Sequence, residues 1–161
     1  GVAVGVIIAV GFFIATTSRS VVRRVYRTDS IHSRRSRPNE EMEQLDKHGE
    51  KVVVLVLEGI VFFGTADHLL DRIDQLLKEQ VTHVILDMRR VTYIDSTGAR
   101  IFVQIAKLVR DANRQLLISH MSKSNELWHF LQDTGVVSAI GSGNFFDDTD
   151  HALEKIGRAH V

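Results

Sequence analysis

The apolar run Val84-Ile85-Leu86-Asp87 leads through Val91-Thr92-Tyr93-Ile94 into the turn Asp95-Ser96-Thr97-Gly98, and an amphipathic pattern starts at Ala99. In that pattern Ile101, Phe102, Ile105, Leu108 and Val109 share one stripe, while Gln104, Lys107, Arg110 and Asp111 fall on the other side. A strand that turns directly into a one-sided helix has to bury the helix stripe against a sheet, which restricts the fold to layered α/β architectures. The turn also places a hydroxyl and small residues at a helix N-terminus, where orphan N–H groups and the positive end of the dipole favour added negative charge. A regulatory phosphate would be well placed there.

The rest of the domain repeats the alternation. Val52 to Leu57 is a β-branched run bounded by Gly49 and Gly59, and Ile60-Val61-Phe62-Phe63 after Glu58-Gly59 suggests a tight hairpin. Beyond Gly64, Thr65 is placed to cap a helix with Leu69, Leu70, Ile73, Leu76 and Leu77 on one stripe and Asp67, Asp71, Asp74 and Lys78 outside. Leu116-Leu117-Ile118 reads as another strand, and Ser124 as the cap of a short helix with Leu127, Trp128 and Leu131 inward that ends near Gly135. Val136-Val137 and Ile140 add a last strand or an ordered loop, and a final helix begins near Asp148. The expected class is α/β, a sheet of about four to five strands covered by amphipathic helices over residues 50–155.

Ahead of this domain, Gly1 to Ser18 carries no charge, and its apolar residues point all around a helix. Such a stretch is a membrane-span candidate, so residues 1–18 are expected to be part of a transmembrane helix. The chain opens on Gly and its first methionine is Met42, which suits the end of a longer membrane protein better than a signal peptide. Arg19, Arg23, Arg24, Arg27, Arg34, Arg35 and Arg37 crowd behind the apolar run, opposed there by Asp29, so the formal net charge of +0 conceals a strong asymmetry. Arginine just beyond a span marks its cytoplasmic side. Residues 19–49, which hold the only proline, Pro38, are expected to form a basic cytoplasmic linker, with Arg19, Arg23, Arg24 and Arg27 flanking the membrane. The same cluster can attract anionic lipid headgroups of the bilayer, although the orientation rule alone accounts for it.

Other signals are weaker. The absence of cysteine removes disulfides, thiolate catalysis and cysteine-ligated zinc. His32, His48, His68, His83, His120, His129 and His151 lack the paired spacing with carboxylates that would hold zinc, so no metal is expected. No basic patch interleaved with aromatics follows the linker, which argues against nucleic acid. Gly1 and Gly5 have the spacing of a close helix contact. Trp128 is expected inward, whereas Phe130, Phe145 and Phe146 either expose an apolar patch or complete a small core. Reading ATC GGA AGA GCA CAC GTC, a string that resembles a sequencing adapter, through the genetic code gives the residues Ile156 to Val161. Residues 156–161 are therefore expected to be a non-native tail, with the last helix cut at about Lys155.

The series Val84 to Asp87, Val91 to Gly98 and the helix after it resembles the core of a STAS domain, the module shared by sulfate transporters and anti-sigma-factor antagonists. The resemblance covers roughly Lys51 to Lys155. It implies that Ser96 matches the serine phosphorylated in the bacterial antagonists, and that Asp95, Ser96, Thr97 and Gly98 form the interaction surface. By residue type alone, Asp95 or Ser96 simply caps the helix. Gly59-Ile60-Val61-Phe62-Phe63-Gly64 is similar to the start of transporter STAS domains, and Gly1 to Ser18 suits a SulP-type transporter rather than a soluble antagonist. The implied function is therefore the C-terminal part of a SulP-like secondary inorganic anion transporter, of the sulfate or bicarbonate class, carrying a cytoplasmic regulatory domain. Its implied partners are the membrane domain of the same transporter, the lipid bilayer, a second copy in a homodimer, and a kinase or other cytoplasmic protein. No catalysis and no cofactor are expected. The alternative is a membrane-tethered switch of the anti-sigma-factor-antagonist kind, phosphorylated at Ser96; nucleotide binding is a third implied property.

Overall fold

The computed structural model describes residues 1–17, 20–28 and 51–159. Arg19, Arg34, Arg35, Arg37, Pro38, His32, His48 and most of the expected linker lie outside them. A five-stranded sheet runs in the order β1 (Val22–Arg27), β2 (Val52–Val61), β3 (His83–Ile94), β4 (Gln115–Ser119) and β5 (Phe145–Phe146). β1 is antiparallel to β2, and the other neighbours are parallel. The helices are α1 (Val2–Thr17), α2 (Phe63–Lys78), α3 (Ser96–Asp111), α4 (Leu127–Asp133), α5 (Val136–Ile140) and α6 (Thr149–Arg158).

The larger core lies on one face of the sheet. Leu55, Leu57, Val84, Leu86 and Ile118 meet Leu69, Ile73 and Leu76 of α2, Phe102, Ile105 and Val109 of α3, Leu131 of α4 and Val137 of α5. The alternate strand positions Val52, Val54, Ile85 and Leu117 point to the other face, where Ala152, Leu153 and Ile156 of α6 cover them. This is the two-residue period of a strand that is buried on both sides.

The hairpin expected at Glu58-Gly59 is not formed. Residues 52–61 are one strand, and both halves pair with β3, Val52 with His83 at one end and Val61 with Ile94 at the other. The register shifts on either side of Gly59, whose φ of 88° lies in the left-handed region. The glycine therefore serves a bulge that bends a continuous strand rather than a chain reversal.

The expected linker also begins too early. Arg23, Arg24 and Arg27 belong to β1, which pairs with β2 from Val22–Leu57 to Arg27–Val53, and the buried Thr28 accepts a hydrogen bond from the Val52 N–H at 3.1 Å through its Oγ1. As an edge strand, β1 keeps three of its six side chains exposed and carries arginine where an inner strand would carry aliphatic residues. Its charge made it look like linker.

Two expected caps are displaced. α2 starts after Phe62, and Thr65 sits in its first turn, where its Oγ1 accepts from the Phe62 N–H at 3.1 Å and donates to the Ile60 carbonyl at 2.9 Å. Ser124 lies in a turn with its Oγ 2.8 Å from that of Ser122, while the Asn125 side chain accepts from the Leu127 N–H at 2.9 Å. Val136 to Ile140 form a helix instead of a strand or an ordered loop. Gly135, at φ 82°, ends α4, and the spacing of Val136, Val137 and Ile140 turns all three inward. Phe145 meets Trp128 edge to face at 5.1 Å and Phe146 packs beside α6, so the two phenylalanines complete cores rather than form an exposed patch. α6 continues past Lys155 to Arg158, and Ile156 is buried.

α1 has 16 residues, about 24 Å at 1.5 Å per residue, against a hydrocarbon core of about 30 Å. Among the described residues no helix is long and apolar enough to cross a membrane. Its Val2, Ile7, Phe12 and Phe13 are exposed, and nothing approaches the Cβ positions of Gly1 or Gly5.

Candidate functional site

The turn at the end of β3 is built by three backbone constraints. The Asp95 N–H donates to the Val61 carbonyl at 3.1 Å, which ties the turn to β2. The Asp95 carboxylate then accepts from the Gly98 N–H at 2.7 Å and caps α3, while the Asp95 carbonyl takes the first helical bond from Ala99 at 2.9 Å. Asp95, not Ser96, is thus the cap. At Gly98 an added Cβ would lie 2.5 Å from the Val61 carbonyl oxygen, so only glycine lets the helix start this close to the strand.

These roles divide the four expected surface residues. Gly98 is buried and Asp95 half-buried, whereas Ser96 and Thr97 are exposed in the first turn of α3. The Ser96 hydroxyl has no hydrogen-bond partner among the described residues. Arg100, four residues on and exposed, lies on the same side of the helix as Ser96. Here the geometry offers an unengaged hydroxyl at the positive end of a helix dipole, with a guanidinium one turn away and a carboxylate beside it.

The surroundings of the turn were not legible beforehand. β4 stops pairing at Ser119, opposite Asp87, but β2 and β3 run on together to Val61 and Ile94. On this two-stranded projection Ile60 and Tyr93 are register partners and are 53% and 56% exposed; Phe63, at the start of α2, is 63% exposed. Arg89 and Arg90 stand exposed on the same projection.

The basic residues expected to flank the membrane are distributed along β1. Arg23 pairs with Glu58 at 2.7 Å, Arg24 reaches the Tyr26 hydroxyl at 3.5 Å, and Arg27 pairs with Glu79 at 2.6 Å. Hydrogen bonding to Tyr26 raises the pKa of Arg24. Arg27 stands at the far end of the strand from α1, about 17 Å from Val22 at the rise of a β-strand. In chain order Arg23 and Arg24 therefore follow α1 closely, while Arg27 lies at the other end of β1.

Two acid–histidine pairs escaped the sequence, because each depends on a loop meeting a strand end or a cap. Asp87, buried at the point where β4 stops, accepts from the Arg89 N–H at 2.9 Å and from its guanidinium at 3.3 Å, with His120 Nε2 3.8 Å away. Asp148 caps α6 by accepting from the His151 N–H at 2.8 Å, and its second oxygen lies 2.8 Å from His151 Nδ1. The backbone hydrogen bond from His151 lowers the Asp148 pKa, and the Asp148 side chain raises that of His151. Among the described residues no group of acids and histidines could hold a metal ion.

The family profile described as STAS domain matches residues 42–152. The chain is 26% identical to the vacuolar basic amino acid transporter VSB1 of Saccharomyces cerevisiae over 96% of its length, and 28% identical to the putative sulfate transporter YvdB of Bacillus subtilis over 93%. It spans 16% and 26% of those two relatives. Among solved structures, a sulfate transporter family protein from Wolinella succinogenes matches with 30% identity and a TM-score of 0.53, over 63% of this chain and 81% of that one. The STAS domain of a Vibrio cholerae SulP transporter shares the fold, with a TM-score of 0.58 at 23% identity over 75% of this chain and 97% of that one. So does part of the murine anion transporter Slc26a9 in its inward-facing state, with a TM-score of 0.62 at 13% identity over 98% of this chain and 25% of that one.

Proposed function

Because the chain belongs to the STAS domain family, we propose that it is the C-terminal part of a SulP-like secondary transporter of inorganic anions, of the sulfate or bicarbonate class. In this reading α1 is part of the last membrane span, and the sheet domain is a cytoplasmic regulatory and docking module with no catalysis of its own. One observation carries it: the likeness to both curated transporters takes in nearly the whole chain, well upstream of the residues matched by the family profile. A STAS domain alone would not extend the likeness over the apolar helix.

The anion assignment follows the sulfate-transporter relatives, and the basic amino acids carried by VSB1 supply its rival. The complete polypeptide, reconstituted in proteoliposomes, should accumulate labelled sulfate or bicarbonate. Uptake of arginine alone would replace the anion reading. An upstream reading frame without further membrane spans would remove the transporter reading altogether.

Ser96 is the proposed modification site, with Ser96, Thr97 and the neighbouring helix face as the contact surface for the membrane domain, a second copy or a kinase. A phosphate would add about −1.5 to −2 charge at a terminus whose dipole accepts it, within reach of Arg100 and against Asp95. Ser96→Glu should leave the free energy of unfolding within about 0.5 kcal/mol of the parent, as exposed substitutions usually do, and weaken cross-linking to the membrane domain. Loss of cooperative unfolding in that variant would make Ser96 a structural residue.

A further inference from the structure

We propose that the end of the sheet bearing Ile60, Phe63 and Tyr93 lies flat against an anionic bilayer surface. The proposal rests on the reading of α1 as a membrane segment and names the part of the domain that the membrane then meets.

The tether sets the orientation. β1 enters the sheet at Val22, opposite Leu57, and the Glu58 N–H donates to the Val21 carbonyl at 2.9 Å. The chain therefore arrives at the end where β2 and β3 project beyond β4. α1 ends at Thr17, and five residues of fully extended chain reach at most about 18 Å. The cytoplasmic end of α1 and the projection are thus held within one short tether of each other, whatever the domain's tilt.

The chemistry of the projection suits that position. Ile60, Phe63 and Tyr93 are all more than half exposed, although β2 and β3 bury nearly every other large apolar side chain. Tyrosine at the headgroup level keeps its ring in the apolar boundary and its hydroxyl in water. Arg23, Arg24, Arg89, Arg90 and Arg100 stand at the same end, against Glu58, Asp67, Asp87 and Asp95. Glu58 is paired with Arg23 and Asp87 with Arg89, while Asp95 caps α3, which leaves Arg24, Arg90 and Arg100 against Asp67 and Asp95. The excess is positive, and each arginine near an anionic leaflet adds to its attraction. Three side chains are also few for a protein partner, since a stable interface covers about 800 Å² on each side. A lipid surface needs less area here, because α1 already holds the domain at the membrane and each buried apolar side chain or basic residue adds to the attraction.

The chain has no cysteine, so a single introduced thiol reports one place. An environment-sensitive dye at Thr92→Cys, on the projection, is compared with the same dye at Ala112→Cys, where α3 ends at the opposite end of the sheet. The full chain is reconstituted in vesicles of phosphatidylcholine, with and without phosphatidylserine, and washed with alkaline carbonate. The dye at residue 92 should shift to the blue and be quenched by spin-labelled lipid in the anionic vesicles, and the dye at 112 should do neither. Arg89→Glu with Arg90→Glu should reduce the docked fraction about tenfold or more, given the strength of basic residues at anionic surfaces. Tyr93→Ser should lower it with the arginines intact. A chain that survives the wash with residue 92 still in water overturns the proposal and spares the reading of α1. Equal responses at 92 and 112 also overturn it, as does a response seen only when upstream spans are present, which assigns the surface to a protein. A chain removed by the wash with both dyes in water sinks this proposal and the membrane reading together.

Discussion

The two faces of the sheet are buried to very different extents. One lies under α2, α3, α4 and α5, and its core includes the large buried side chains Phe102, Leu69, Ile73 and Ile105. The other is covered among the described residues by α6, through Ala152, Leu153 and Ile156. That single short helix reaches as far along the strands as Val52, Val54, Ile85 and Leu117 and leaves Ile60 and Tyr93 uncovered. The first face holds the fold together, and the second leaves the domain an apolar surface at the end where the chain comes from α1.

Phe102→Ala tests the first face and should have the largest effect. Removing a ring that is 1% exposed in the middle of α3 should cost about 3 to 5 kcal/mol, read from the denaturant midpoint. A loss below about 1 kcal/mol would mean that the α3 stripe is not the centre of the core. Leu153→Ala makes the same kind of cavity on the other face. There α6 is flanked by solvent and can settle toward the strands, so the cost should fall near 2 to 3 kcal/mol, the low end for such changes at about 2 to 5. Equal losses at the two positions would erase the difference between the faces. Gly98→Ala probes the line along which the first face is closed, since the new methyl would press on the Val61 carbonyl. It should cost about 1 to 3 kcal/mol through overpacking, and a neutral result would show that α3 can slide away from β2 freely.

The first face was largely legible in the sequence and the second was not. The stripe of Ile101, Phe102, Ile105 and Val109 has helical periodicity, and all four residues are buried as that period requires. The Asp95 turn was legible because a strand, a cap and a glycine follow one another within a few residues. By contrast, Gly59 carries the same local signal for a hairpin as for a bulge, and only pairing of both halves with β3 decides between them. Arg23, Arg24 and Arg27 hid an edge strand because charge on an edge resembles charge in a linker. The exposure of Ile60 and Tyr93 depends on how far α6 extends over the sheet, a tertiary fact to which no window of sequence around either residue refers. The residue types left Asp95 and Ser96 both open as the cap, and the Asp95–Gly98 bond assigns the cap to Asp95.

The smallest expected effect concerns the cap of that second-face helix. Asp148 has its pKa lowered from 3.8, chiefly by the backbone hydrogen bond from His151, and His151 has its pKa raised from 6.5, chiefly by the Asp148 side chain. A lowered acid contributes stability above its unfolded pKa and loses it as pH falls through the folded value; a raised histidine contributes below its unfolded pKa and loses it as pH rises through the folded one. The pair should therefore hold α6 most firmly between about pH 4 and 6.5. Amide exchange in α6 should be slowest in that window relative to α3, which carries no such pair and serves as the internal reference. His151→Ala should remove the loosening of α6 above the window and leave the exchange of α3 unchanged. If the parent's α6 instead tightened as pH rose through neutrality, the sign of the pair would be wrong, and the outer face would have to be held by apolar contact alone.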